Sequence, residues 1–288
     1  MERVAIVGLG LIGGSLGLAL RRALPEVEVV GVARRRETAE LAESIGAVSR
    51  AGTGLEAISD CELVVLACPL AVTAAVLEDS KPHLAEGARV TDVGSVKASV
   101  VAHAVATLDL ARNPFLGGHP MAGKEVSGLE HAEADLFAGR AWVYTPHAIA
   151  AAEPFADFLG AIQAIGAHPL NLSPEDHDRY VALVSHIPFL VSSAYLLAVG
   201  RQPDWGLASE LASSGFRDIS RLAAGDSEMY AAITDANRAE VLRAWGALRS
   251  ALTEFEGAIE HADGAALLDL LLAARETRQE WTAGQPQP

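Results

Sequence analysis

A glycine-punctuated turn near the start of the chain constrains the fold more than any other feature. Residues 4–15 read Val-Ala-Ile-Val-Gly-Leu-Gly-Leu-Ile-Gly-Gly-Ser, an apolar strand running into a Gly-x-Gly-x-x-Gly turn that opens an apolar helix. Gly8 permits the tight turn, Gly10 lets a pyrophosphate approach the backbone, and Gly13 lets the helix pack on the strand. Leu11 and Ile12, in the first helical turn, carry N–H groups free to meet the phosphates. These five residues are the expected phosphate cradle of a dinucleotide cofactor. A glycine turn alone is a weak signal, but here the strand before it and the helix after it are both present.

The second strand bears on which dinucleotide is bound. In NAD-binding proteins an acidic residue about 20 positions downstream holds the ribose 2′-hydroxyl. Twenty residues after Gly13 stands Ala33, followed by Arg34, Arg35 and Arg36. No carboxylate is there to repel a 2′-phosphate, and guanidinium groups are available to bind one. Ala33, Arg34 and Arg35 are thus expected at the adenosine end. NADP is favoured, with NAD possible, and the bland alternative is a solvated basic helix start before Glu37.

The text to about residue 172 alternates strand-like runs with helical patterns. Strands are expected at Val4–Val7, Glu28–Val32, Leu63–Ala67, Arg89–Asp92, Phe115–Gly117, Trp142–Tyr144 and His168–Leu172. Helices are expected at Leu11–Ala23, Thr38–Ile45, Val96–Leu108 and Glu153–Ile165. Such alternation indicates βαβ units and a mostly parallel sheet, with the sense of the last two strands unreadable. At Ser173-Pro174-Glu175-Asp176 the texture changes to a helix start: serine as N-cap, proline in the first turn, then acids. Helical text continues to Trp281, and the Pro/Gln-rich tail from Ala283 is expected to fray. The prediction is an α/β fold: a Rossmann-type dinucleotide-binding domain over residues 1–172, then an all-α substrate and dimerisation domain over 173–288.

Charge and composition remove several classes. A formal charge of −15 disfavours a nucleic-acid surface, because phosphate contacts need a basic face. An anionic ligand would meet repulsion everywhere except where Arg and Lys are gathered. The two cysteines form no disulfide framework and fit a reducing, cytoplasmic setting. Val181–Gly200 runs for 20 residues without a charged side chain, long enough to span a bilayer. It contains His186, Pro188 and three serines, so a buried helix in an oligomeric core is expected rather than a membrane span. The helical half is apolar enough to predict a homodimer.

Ligands of a doubly wound sheet lie beyond the carboxyl ends of its strands. Polar motifs fall at three such ends: Cys68-Pro69, Asp92-Val-Gly-Ser95-Val-Lys97, and Gly117-Gly-His119-Pro-Met-Ala-Gly-Lys124-Glu125. Pro69 is expected beside the cofactor. His119 suits a general base that removes a hydroxyl proton as hydride departs, and Ser95 is placed to hydrogen-bond its ring. The competing reading is a turn histidine with Ser95 as an ordinary N-cap. The other histidines lack H-x-x-x-H spacing and the cysteines lack C-x-x-C, so no metal is expected.

Five blocks in order carry a wider resemblance: the glycine loop, Thr-Asp-Val-Gly-Ser-Val-Lys over residues 91–97, Gly-Gly-His-Pro-Met-Ala-Gly over 117–123, Val-Ser-His-Ile-Pro over 184–188, and Ser-Gly-Phe-Arg-Asp-Ile-Ser-Arg over 214–221. From Arg3 to Trp281 the chain resembles the prephenate/arogenate dehydrogenases of tyrosine biosynthesis, most of all the NADP-linked arogenate dehydrogenases. The resemblance implies oxidative decarboxylation of a cyclohexadienyl ring, with His119 sharing the hydroxyl proton and Ser95 orienting it. It further implies that Arg221 binds a substrate carboxylate, that Glu125 and Asp218 are its ionic neighbours, and that His186 lies in the substrate site. A guanidinium fork suits a carboxylate independently of any family. Arg217, four residues before Arg221, would share its helical face, the alternative being a surface pair with Asp218 and Asp226.

Two positions depart from the family pattern. Phe189 stands where prephenate-specific members often carry a second histidine, which keeps arogenate open as substrate. Lys124 replaces a small polar residue and offers a further cation to a carboxylate. No regulatory module of the ACT type is expected. A rival hydroxyacid dehydrogenase of similar layout would need a lysine in the helical half, yet residues 173–288 contain none. A non-catalytic NADP sensor would need neither His119 nor Arg221.

Overall fold

A computed structural model describes residues 1–147 and 152–284, so the Pro/Gln-rich tail lies almost wholly outside the described residues. The chain divides into two compact units, Met1–Arg238 and Ala239–Pro288.

The first unit begins β1 (Arg3–Val7), α1 (Leu11–Ala23), β2 (Glu28–Val32), α2 (Arg36–Ser44), β3 (Arg50–Gly52), β4 (Leu63–Leu66), α3 (Leu70–Ser80), β5 (Arg89–Asp92) and α4 (Ala98–Thr107). It continues with β6 (Phe115–Pro120), β7 (Ala141–Thr145), α5 (Ala156–Ala164) and β8 (His168–Asn171). The strands form one sheet in the order β3-β2-β1-β4-β5-β6-β7-β8. Pairing is parallel from β3 through to β6, β7 is antiparallel to β6, and β8 is parallel to β7.

Side-chain alternation explains why the strand texts are apolar throughout. Val4 and Ile6 of β1 enter one hydrophobic cluster with Leu63 and Val65 of β4. Ala5 and Val7 enter the other with Val64 and Leu66. Both sheet faces are covered, so both sets of alternating positions are apolar. Two elements were not foreseen. Strand β3 is three residues, Arg50-Ala51-Gly52, too short to show a period. Helix α3 follows Pro69 with apolar residues all round and so has little amphipathic signature.

Helices complete the first unit: α6 (Pro174–Val181), a π-helical turn at Ala182–His186, α7 (Ile187–Gly200), α8 (Trp205–Glu210), α9 (Ser214–Ser220), a 3-10 turn at Arg221–Ala224, and α10 (Ser227–Ala236). The Ser173 hydroxyl accepts from Asp176 N at 3.0 Å, so the N-cap read from sequence is formed. Pro188 has no N–H to return to the preceding turn, and the wider π turn accommodates that loss. The run Pro174–Gly200 is long and apolar enough to cross a membrane by length and composition. It nevertheless carries His177, Asp178 and His186, all buried within the protein.

The second unit holds most of α11 (Arg238–Glu260) together with α12 (Gly264–Ala283). Ala262 takes φ 52° in the turn between them, and Asp263 caps α12 by accepting from Ala266 N at 3.0 Å. Leu268, Leu271 and Leu272 of α12 are exposed at i, i+3 and i+4 spacing, which lines them along one face.

Candidate active site

The sheet order makes β1 and β4 the switch point, because the chain winds outward to β2 and β3 and then returns to β4. In doubly wound sheets the ligand lies at this point, beyond the carboxyl ends of the strands. Gly8 takes φ 106°, and its N–H donates to Val32 O at 2.8 Å. A Cβ at Gly8 would stand 2.6 Å from Ala67 O, and one at Gly13 would strike Gly8 O, whereas one at Gly10 would meet open space. The turn is therefore packed on its protein side and bare on the side a pyrophosphate would use. No side chain caps α1 and no acid sits in its first turn, which leaves the amides at Leu11, Ile12 and Gly13 free for phosphate. Pro69 lies exposed at the end of β4, at this switch point. Ala33 is buried, its N–H held by Gly52 O at 2.9 Å. Beyond it Arg34 and Arg35 are exposed with no ionic partner among the described residues, while Arg36 pairs with Glu40.

The next two strands carry the polar motifs. Asp92 and Lys97 are both fully buried and form an ion pair. Asp92 also accepts from Gly94 N at 2.8 Å and Gly118 N at 3.1 Å, and Lys97 Nζ donates to Gly118 O at 2.7 Å. Both peptide groups of Gly118 are thereby clamped, one residue before His119. Burial lowers the Lys97 pKa, against the pull of Asp92.

His119 is half-buried on β6, and its Nδ1 lies 2.8 Å from His177 Nε2. His177 Nδ1 lies 2.7 Å from Asp178 Oδ1. Asp178 in turn accepts from Lys97 N at 2.7 Å and Ala98 N at 2.9 Å, the start of α4. Asn237 Nδ2 donates to Asp178 O at 2.8 Å and approaches His186 Nδ1 at 3.3 Å. Burial, then the neighbouring His177, Lys97 and His186, hold the His119 pKa well below the ordinary imidazole range. His119 Nε2 has no partner among the described residues and is not sealed from solvent. A neutral imidazole with one accessible ring nitrogen has the makings of a base near neutral pH.

The hydrogen bond expected between Ser95 and His119 is absent. His177 occupies Nδ1 instead, and the half-buried Ser95 makes no hydrogen bond among the described residues. Its hydroxyl stays available, in the turn that Asp92 folds around Gly94. His186 is buried, its Nε2 is without a hydrogen-bond partner among the described residues, and burial lowers its pKa to about 4.

Arg221 opens the 3-10 turn after α9 and pairs with Glu125, six residues beyond His119. The pair brings the arginine to the loop that follows the candidate base. Arg217 is exposed on α9 and has no ionic partner among the described residues. Lys124 is drawn back onto its own loop, pairing with Glu133 at 2.6 Å and donating to His131 O at 3.0 Å. Phe189 stacks on Tyr230, ring centroids 3.5 Å apart and 5° from parallel.

His177 and Asp178 escaped the sequence reading. In Pro174-Glu-Asp-His-Asp they look like the polar first turn of a helix, and only the packing of α6 against the start of α4 shows otherwise. Lys97 was visible as a motif residue, but not as the clamp on Gly118.

Comparisons with known proteins match both halves of the chain. Residues 16–171 match the prephenate dehydrogenase nucleotide-binding domain, and 173–273 match the prephenate dehydrogenase dimerization domain. The prephenate dehydrogenase of Bacillus subtilis is 30% identical over 244 residues, which cover 84% of this chain and 66% of that protein. The chain thus spans about two thirds of that relative's length. The crystal structure of Synechocystis arogenate dehydrogenase superposes with a TM-score of 0.85 at 33% identity, covering 97% of this chain and 100% of that one. The structure of prephenate dehydrogenase from A. aeolicus, in complex with hydroxyphenyl propionate and NAD+, gives a TM-score of 0.91 at 28% identity, covering 97% and 98%. With both domain matches in sequence order over most of its length, the chain belongs to the prephenate dehydrogenase family.

Proposed function

We propose that this protein oxidises and decarboxylates prephenate or arogenate. One observation carries the reading. His119 has its Nδ1 engaged by His177 and its Nε2 open, at the carboxyl end of β6, on the same strand ends as the glycine turn. The nicotinamide of a bound dinucleotide supplies the hydride acceptor. His119 takes the hydroxyl proton as hydride leaves the ring carbon that bears the hydroxyl. Loss of the ring carboxylate as CO2 leaves its electron pair in the ring, and the proton returns to the phenolic oxygen. Ser95 is free to hydrogen-bond the same hydroxyl. Arg221, on the loop side of His119, exchanges Glu125 for a substrate carboxylate in a charge-assisted fork.

Phe189 offers no hydrogen bond, so arogenate stands beside prephenate as substrate. Arg34 and Arg35, without an ionic partner among the described residues, favour NADP over NAD. The exposed apolar face of α12, with Leu183, Val184 and Leu197 of the first unit, supports a homodimer. The two free cysteines fit a cytoplasmic setting.

Absorbance at 340 nm with each substrate and each cofactor tests the activity. His119→Asn is expected to bind cofactor normally and to lose at least about 10²-fold in turnover, the scale of a general base. Near-normal turnover in that variant would overturn the role of His119, and no turnover of either substrate by the intact protein would overturn the activity.

A further inference from the structure

Resting on that dehydrogenase reading, we propose that His177 is a positioning residue that fixes the tautomer of His119, leaving the lone pair on Nε2. An ionised Asp178 can only accept, so His177 Nδ1, 2.7 Å away, carries a hydrogen. A neutral His177 then presents a bare Nε2, which lies 2.8 Å from His119 Nδ1. His119 must donate there, and its own Nε2 is left unprotonated. That is the nitrogen with no partner among the described residues.

The chain is rigid at its far end. Asp178 is held by the amides of Lys97 and Ala98 at the start of α4. His177 is wholly buried, so water cannot replace its contact to His119. The charged and titratable groups around the pair are Asp178 on its own helix, Lys97 before α4, Asp92 on β5 and His186 in the π turn. The opposite arrangement needs a doubly protonated His177, a second buried cation near Lys97, and Asp92 already neutralises that lysine. When His119 takes the hydroxyl proton, its Nδ1–H bond to His177 becomes charge-assisted, and no further proton has to move.

Two variants and one spectrum test this. In the intact chain without cofactor, 15N spectra of labelled histidine should show His119 with Nδ1 protonated and Nε2 unprotonated at neutral pH, its signals assigned by their loss in His119→Asn. His177→Leu removes the acceptor and should lower kcat by at least about tenfold, up to the ~10⁴-fold scale of a lost tautomer-fixing partner, with KM changed less than about threefold. His177→Gln keeps an acceptor oxygen and should retain kcat to within about tenfold. A His119 hydrogen resident on Nε2 in the intact protein would overturn the proposal, as would an unchanged kcat in His177→Leu. Should the leucine variant fail to fold, the spectrum and the glutamine variant decide. Absence of turnover by the intact protein would count against the dehydrogenase reading, and the spectrum would still report the tautomer.

Discussion

Asp92 and Lys97, five residues apart, form a wholly buried ion pair that holds both peptide groups of Gly118, the residue before His119. Burying two charges is costly, so such a pair says little about net stability and more about the geometry it holds. Here the geometry is the approach of β6 to β5, so close that a Cβ at Gly118 would stand 2.6 Å from Asp92 O. Lys97→Met leaves the Asp92 charge buried and unpaired. The expected loss is about 3–5 kcal/mol of unfolding free energy, read from urea denaturation. A loss below about 1 kcal/mol would mean that the clamp is dispensable.

The Arg221–Glu125 pair differs in kind. The two side chains are 59% and 50% exposed, and exposed pairs contribute little to stability. Arg221→Ala should therefore leave the melting temperature nearly unchanged while raising KM for a dicarboxylate substrate by roughly 10- to 100-fold, the worth of one charged hydrogen bond. Unaltered KM with both substrates would remove Arg221 from the site.

Arg34 and Arg35 bear on the cofactor. If they grip a 2′-phosphate, the double variant Arg34→Ala, Arg35→Ala should lose about tenfold or more in kcat/KM for NADP and little for NAD. Equal losses with both cofactors, or none, would return this segment to the role of a solvated helix start.

His186 links pH to stability. Burial lowers its pKa from 6.5 to about 4, so the folded state keeps it neutral where the unfolded chain protonates it. Its unfavourable contribution is absent above pH 6.5 and grows as pH falls from 6.5 towards about 4. The slope is about 1.4 kcal/mol per pH unit within that window. Urea unfolding of the native chain and of His186→Gln, at about pH 7 and about pH 5, should show a smaller acid loss in the variant. Parallel losses would show that His186 does not titrate as its burial implies.

The exposed stripe of α12 gives a test of assembly. Light scattering after size exclusion should report a dimer at micromolar concentration for the native chain and a monomer for the double variant Leu268→Glu, Leu272→Glu. A monomeric native chain would leave that apolar face unexplained.

Amino-acid order alone determined the sheet strands with long apolar runs, the glycine turn, the Ser173 cap and His119 as candidate base. Each of these is a local signal: a period, a turn chemistry, or a reactive side chain at a strand end. The glycine turn was legible because its conformation and packing are set by consecutive residues. Tertiary structure decided the rest. Ser95 lies near His119 in the motif order, yet the ring turns its Nδ1 to His177, 58 positions away. Asp178 and the amides of Lys97 and Ala98 meet across 80 residues of chain, and Lys124 is spent on Glu133. No period or spacing encodes such meetings, because they arise where α6 and the start of α4 bury polar groups that must find one another once water is excluded.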